Sequence, residues 1–415
     1  MLKRLYQFLL GIGPGIFAIG YTIGTGSVTS MIVAGSSYGM QLLWVLALSC
    51  LFSWVLMEAF GRYYLVTGET ALYAFRKHLK LGPIISILII VGISFGQWNS
   101  LTGILGISTN AIVETLALFF PAIAGNEYWW VLAVAILVIG IMYTILWNGK
   151  YAIFEKILLF FVSLMGLSFL LSLFIVLPDP IDIAKGFIPS IPQVEGGRML
   201  VAAFVGTTMA SATFISRPLF IQGKGWTKSD LKVQQKDAIW AAILIFIISG
   251  SIMAAAMGAF FESGTVVNKV LDMVTALTPI AGRFAIVIFF MGTLTAGLSS
   301  IFPILMIAPL MIADYRQGKL DTSSMQFKLL AALACLIGLT VPLLGVNPIE
   351  AQILTQVFNV FVLPLVIIGI IILINKKALM AEHKAGWGLN IGLVLSLVFA
   401  CVISYNGIIA IWEKM

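Results

Sequence analysis

An all-α membrane protein of about eleven helices is predicted by three features of this sequence: its apolar composition, the length of its apolar runs and the placing of its basic residues. Of 415 residues, 60% are hydrophobic and 10% charged, and the mean hydropathy is +1.08. Soluble domains run at about 45–50% apolar and about 25% charged, so a chain this poor in charge belongs in lipid. Apolar runs near the ~20 residues that cross a bilayer as a helix recur along the whole length. The chain therefore reads as a single transmembrane domain, 1–415, with no segment left over for a soluble one.

Charged or Pro/Gly-rich breaks between the runs place helices near 12–36, 41–66, 83–119, 129–148, 152–177, 197–222, 234–261, 283–312, 326–345, 351–374 and 388–411. The first run, Phe8 to Val33, is rich in Gly and lacks a small-residue cleavage site before the next one, so it reads as the first span and not as a removable signal. An odd number of spans puts the termini on opposite sides. With the N-terminus in the cytoplasm, the opposite face holds only Lys185, Arg198, Lys269, Arg283 and Lys414. The remaining Lys and Arg, Arg217 among them, then fall in cytoplasmic loops, a bias of roughly four to one that fits the positive-inside rule. The expectation is a bacterial inner-membrane protein, N-terminus cytoplasmic and C-terminus outside.

The net charge of +7 is spread over short loops, which argues against a nucleic-acid interface. Cys50, Cys335 and Cys401 lie inside apolar runs without CxxC spacing and read as packing residues. The chain has no Gly-rich phosphate loop with Lys, no His-Glu-x-x-His and no convergent Ser/His/Asp set, so neither an enzyme nor a cofactor is expected.

Two predicted helices are interrupted. The first reads Gly11-Ile-Gly-Pro-Gly15 and then Ala18-Ile-Gly-Tyr-Thr-Ile-Gly-Thr-Gly-Ser27; the sixth reads Val205-Gly-Thr-Thr-Met-Ala-Ser-Ala-Thr213. Small residues there serve either close helix packing or unwound backbone that lines a cavity. Paired interruptions at corresponding positions of two halves favour the second role and point to a carrier with a central site. Helices one and six correspond if one to five (near 12–177) and six to ten (near 197–374) form a five-plus-five inverted repeat, with an eleventh helix added near 388–411.

At these residues the chain resembles the Nramp family of metal transporters, which has a LeuT-like fold. Gly13-Pro-Gly, Gly20-Tyr21, Gly24-Thr-Gly-Ser27, Gly35, Gly39 and Leu42-Leu-Trp44 match the family's spacing, as do Arg62 and Val66-Thr-Gly68. Further matches are Glu155-Lys156, Val205-Gly206, Thr208, Ala296-Gly-Leu-Ser-Ser300, Gln356-Val357, Leu363-Pro364 and Lys376-Lys377. The resemblance implies a LeuT-like fold with broken helices one and six, in which the unit containing them rocks against the rest.

At the ligand positions the chain departs from the family. Where the family carries Asp-Pro-Gly-Asn, this chain has Gly24-Thr25-Gly26-Ser27, and the family's Ala-x-x-Met-Pro-His falls on Thr207, Ala210, Ser211 and Ala212. The family's metal-ligand positions are thus Gly24, Ser27, Thr207 and Ala210, with no carboxylate and no thioether. In the third helix, Gln97 and Ser100 stand where the family has an Asp and a Glu linked to proton movement. A divalent ion gives up its water for charged oxygen ligands, and sulfur biases a site toward transition metals. This chain offers hydroxyls and carbonyls alone.

The resulting expectation is a secondary active transporter that moves a metal cation by alternating access through an atypical, carboxylate-free and Met-free site. Its substrate-binding residues would be Gly24, Thr25, Gly26, Ser27, Thr207, Thr208, Ala210 and Ser211, and its cavity would be lined by Gln97, Asn99, Gln356 and Asn359. A carrier of a small organic or anionic solute, held at Gly24-Thr25-Gly26, is the alternative, and a non-transporting relative is another. The expected partners are a small ion or solute and the lipid bilayer; the chain is expected to act as a monomer. Glu58, one turn from Arg62, reads as a helix-end salt bridge; Glu114 as a solvated outer residue; His78 and His383 as solvated loop residues.

Overall fold

The computed structural model describes residues 13–120, 123, 125–148, 150–175, 179–190, 196–261 and 278–414. Among them the regular structure is entirely helical. The elements are α1 (Gly15–Thr22), α2 (Thr25–Tyr38), α3 (Leu43–Thr67), α4 (Ala71–His78), α5 (Gly82–Phe119), α6 (Glu127–Trp147), α7 (Tyr151–Ile175), α8 (Pro180–Gly186) and α9 (Gly197–Thr208). They continue with α10 (Ser211–Lys224), α11 (Leu231–Ala256), α12 (Thr278–Gln317), α13 (Met325–Gly338), α14 (Thr340–Leu344), α15 (Pro348–Val360), α16 (Leu363–Asn375), α17 (Lys377–Met380) and α18 (Trp387–Lys414).

All eleven predicted spans are present. Ten are apolar helical segments long enough to cross a bilayer, and the first is the pair α1 and α2, bent by 54° at its break. The sixth span divides into α9 and α10, the ninth into α13 and α14, and the tenth into α15 and α16. The short helices α4, α8 and α17 lie in connections. Local chemistry sets several boundaries. Asp179 accepts from Ile181 N at 2.8 Å with Pro180 opening α8, and Asn347 accepts from Ile349 N at 3.0 Å with Pro348 opening α15. In each case a side-chain oxygen satisfies a first-turn N–H, and proline occupies a position whose N–H has no partner to lose.

Burial separates the core from the rim. In the sixth span 94% of the most apolar window is buried, against 28% for α6 and for α18. The broken span therefore runs through the middle of the bundle, while α6 and α18 turn most of their apolar surface outward, as lipid-facing helices do. Cys50 and Cys335 are buried; Cys401 is exposed on α18, so the packing role expected of all three holds for two.

Among the described residues the buried charges, Glu58, Arg217, Asp237 and Asp314, lie toward the Lys-rich end of the bundle. Arg217, expected in a loop, is 1% exposed inside α10. Its Nη2 donates to Asp237 Oδ2 at 2.7 Å, and Asp237 also accepts from Gly15 N at 3.2 and 3.0 Å, anchoring the start of α1. Glu58 forms the expected pair with Arg62 at 2.6 Å, and it is buried and further accepts from Gln234 and Gln235 at 3.0 and 3.1 Å. Asp314 accepts from Thr70 Oγ1, Leu72 N and Tyr73 N, capping α4. His78, expected to be solvated, is half-buried against Glu69 at 2.6 Å, and Glu114 is likewise half-buried.

Candidate functional site

The two interruptions lie side by side. In the first, Ile23 and Gly24 leave the helix, Gly24 fully extended at φ −102°, ψ −171°. In the second, Met209 and Ala210 do so, at φ −109°, ψ 41° and φ −57°, ψ 119°. A helix end leaves its last four carbonyls without intrahelical partners, and deep in a bilayer those groups must be satisfied by protein. Hydroxyls from other spans meet this need. Ser300 Oγ donates to Gly20 O at 2.6 Å, Thr207 Oγ1 to Thr22 O at 3.0 Å, and Ser53 Oγ to Thr208 O at 2.9 Å.

Between the breaks is a cavity lined by Tyr21, Gly24, Gly26, Gln97, Ser100, Ile104, Thr207, Ala210, Ser300, Ile304 and Gln356. It leaves about 10 Å³ for the centre of a water-sized particle, the room one water needs. Behind its wall runs an uncharged polar network. Gln97 Nε2 donates to Asn359 Oδ1 at 3.4 Å, and Asn359 Nδ2 to Gln356 Oε1 at 3.0 Å. Gln356 Nε2 and Gln352 Nε2 both donate to Ser100 Oγ at 2.9 Å. Five side chains from α5 and α15 thus hold one another in place, and the two amides that line the cavity, Gln97 and Gln356, have fixed positions.

Two glycines make this geometry. A β-carbon on Gly206 would overlap the Gln356 carbonyl, so the backbones of α9 and α15 touch only because Gly206 has no side chain. A β-carbon on Gly24 would overlap Ser300 Oγ. Position 24 therefore has no room for any side chain in this arrangement.

Of the residues singled out by sequence, Gly24, Gly26, Thr207, Ala210, Gln97 and Gln356 line the cavity, and Asn359 stands behind it. The Thr25 side chain lies outside the described residues. Four others point elsewhere. Ser27 Oγ meets Ser249 Oγ at 3.4 Å on α11, because α2 turns that face toward its neighbour. Thr208 Oγ1 bonds its own helix at Phe204 O, 2.5 Å. Asn99 Nδ2 likewise returns to Phe95 O at 2.7 Å. Ser211 is buried at the start of α10 without lining the cavity.

Sequence reasoning missed Tyr21, Ser300, Ser53 and Gln352 as members of this region. Gln352 and Gln356 carry a legible signal, since an i,i+4 pair of amides shares one helix face. Ser300 and Ser53 carry none, because an isolated serine in an apolar span does not reveal which carbonyl it will meet.

Among the described residues no group of three or more His, Cys, Asp or Glu could hold a metal ion. The described lining of the cavity offers hydroxyl, amide and backbone carbonyl oxygens.

The sequence profile of the family described as "Natural resistance-associated macrophage protein-like" matches residues 15–410. The chain belongs to the Nramp family. The divalent metal cation transporter MntH of Vibrio campbellii is 26% identical over 409 residues, covering 94% of this chain and 90% of that one. A crystal structure of the Eremococcus coleocola manganese transporter superposes with a TM-score of 0.74 at 15% identity, covering 99% of this chain and 87% of that one. The transporter MhsT, crystallised with L-phenylalanine, does so with a TM-score of 0.62 at 15% identity, covering 98% of each chain. At such identities the likeness shows the fold, and it is the LeuT-like one. This Nramp chain is an integral membrane protein, and its two broken spans meet at the cavity described above.

Proposed function

We propose that the protein is a secondary carrier that moves a divalent metal cation across the membrane by alternating access, binding it where the two helix breaks face each other. The observation that carries this reading is the cavity itself: polar, walled by both breaks and sized for one water-like particle. Curated relatives along nearly the whole chain bear the name of divalent metal cation transporters, and that supports the choice of cargo.

The wall chemistry sets the expected affinity. Gln97, Ser100, Thr207, Ser300 and Gln356 offer dipoles without net charge, and no sulfur lines the cavity. Such a site suits hard cations. Sites with few charged ligands fall toward Kd values of roughly 10⁻⁴–10⁻³ M. Gly24, Gly26, Thr207 and Ala210 supply the backbone around it, with Gln97 and Gln356 as the side chains that orient it.

The same reading places the Lys-rich end in the cytoplasm, with the N-terminus there and the C-terminus outside, in a bacterial plasma membrane. A membrane-impermeant thiol reagent on intact cells should label Glu413→Cys and leave Lys228→Cys unlabelled; the reverse pattern inverts the topology.

Purified protein in liposomes with an entrapped metal-sensitive dye tests the function. Uptake of manganese(II) or magnesium should saturate in the range given above and fall at least about tenfold in Gln356→Leu, which removes the amide from the wall, a loss of about 1.4 kcal/mol or more. Wild-type liposomes no faster than empty ones for every divalent ion tried would overturn the proposal.

A further inference from the structure

We infer that ion movement through this protein is uncoupled from protons, so that the cation crosses alone as a charge-carrying flux driven by its own gradient and the membrane potential. This rests on the carrier reading above and concerns its energetics. The wall of the cavity holds no carboxylate, imidazole, amine or thiol. Its one titratable side chain, Tyr21, donates its hydroxyl to Pro303 O at 2.8 Å, and a phenol stays protonated below about pH 10. The polar network behind the wall consists of amides and one serine hydroxyl. Such groups orient protons in hydrogen bonds and neither take up nor release them near neutral pH.

The paired charged groups described on the surrounding elements are engaged away from the cavity. From α10, Arg217 is bound to Asp237 of α11, which also holds Gly15 at the start of α1, and Lys224 pairs with Glu155 of α7 at 2.5 Å. From α3, Glu58 is bound by Arg62, Gln234 and Gln235. From α12, Asp314 caps α4 and Arg316 donates to Gln326. These groups belong to the Lys-rich end. On α5 Glu114 is near the C-terminal end, on α9 Arg198 pairs with Glu413 of α18, and on α15 Glu350 is exposed in the first turn. The described part of α2 carries no charge. Among the described residues no titratable chain is seen to reach the cavity, and its described wall carries no group that exchanges a proton for a cation near neutral pH.

The test uses liposomes containing the full-length protein, one set loaded with a manganese-sensitive dye and another with a pH-sensitive dye. An inside-negative potential of about 100 mV favours accumulation of a doubly charged ion by about 10³-fold. Manganese(II) uptake should rise with that potential, vary less than about twofold between about pH 6 and pH 8 outside, the window in which histidines and shifted carboxylates titrate, and leave the lumenal pH unchanged. Lumenal acidification or alkalinisation in step with metal entry would overturn the inference while leaving the carrier reading intact. An ionophore that exchanges metal for protons serves as the control that both dyes respond. No protein-dependent uptake under any gradient, with that control positive, would overturn the carrier reading itself and the inference with it.

Discussion

The Ser300 hydroxyl, 2.6 Å from the Gly20 carbonyl that it caps, occupies the space into which a β-carbon on Gly24 would project. The two positions are therefore coupled: a serine there requires a glycine here. Restoring a carboxylate by Gly24→Asp alone should overpack the site at a cost of about 1–3 kcal/mol, seen as a lower melting temperature in detergent. Combining it with Ser300→Gly should recover part of that loss and tighten manganese binding by calorimetry. A double variant whose loss equals the sum of the losses of Gly24→Asp and Ser300→Gly measured singly would show that the two positions are independent.

Gly206 and Gly250 are both helical, and they should respond to alanine in opposite directions. At Gly206 the new β-carbon meets the Gln356 carbonyl, whereas at Gly250 the nearest atom is Leu46 Cδ2 at 3.9 Å. Gly206→Ala should destabilise by about 3 kcal/mol or prevent folding. Gly250→Ala should stabilise by about 0.4–1 kcal/mol, since alanine restricts the unfolded chain and favours helix. Thermal unfolding of the two variants side by side checks both signs.

Arg217 and Asp237 are an ion pair removed from water, with side chains 1% and 0% exposed. Arg217→Met leaves the Asp237 carboxylate buried with the single Gly15 N–H shared between its two oxygens, and should cost about 3–5 kcal/mol. Arg217→Met with Asp237→Leu should be less damaging than Arg217→Met alone, because no unpaired charge remains. A double variant that is worse than the single one would mean that the Asp237 contact to Gly15 outweighs the pair.

Glu69 lies in the connection between α3 and α4, bonded to Lys77 at 2.6 Å and to His78 at 2.6 Å. Partial burial by itself raises its carboxyl, but the hydrogen bonds and charges of Lys77 and His78 together outweigh that and hold it below the ordinary carboxylate range. A carboxyl with a depressed folded pKa stabilises the fold above its unfolded value, about pH 4.3, and loses that contribution as pH falls through the folded value. The melting temperature of Glu69→Gln should therefore lie below wild type at neutral pH and converge on it below about pH 4. A gap unchanged down to acid pH would show that the contact acts through packing and not through charge.

Eleven spans and the two central breaks were legible in the sequence, because each is written locally. Hydropathy marks a span, and Gly24 and the Thr207–Ser211 segment mark where a helix cannot run on. Which hydroxyl faces the cavity was not legible. Ser27 and Ser300 are equally plain serines in apolar helices, yet Ser27 turns to Ser249, 222 positions away, and Ser300 reaches Gly20, 280 positions away. In a membrane protein the lipid face and the packed face of a helix are both apolar, so no amphipathic stripe records its rotation. For the same reason Arg217 read as a loop residue, until the packing of α10 against α11 brought it to Asp237. The sequence determined where the helices break; only the packing of distant helices decided which hydroxyls and carbonyls meet beside those breaks.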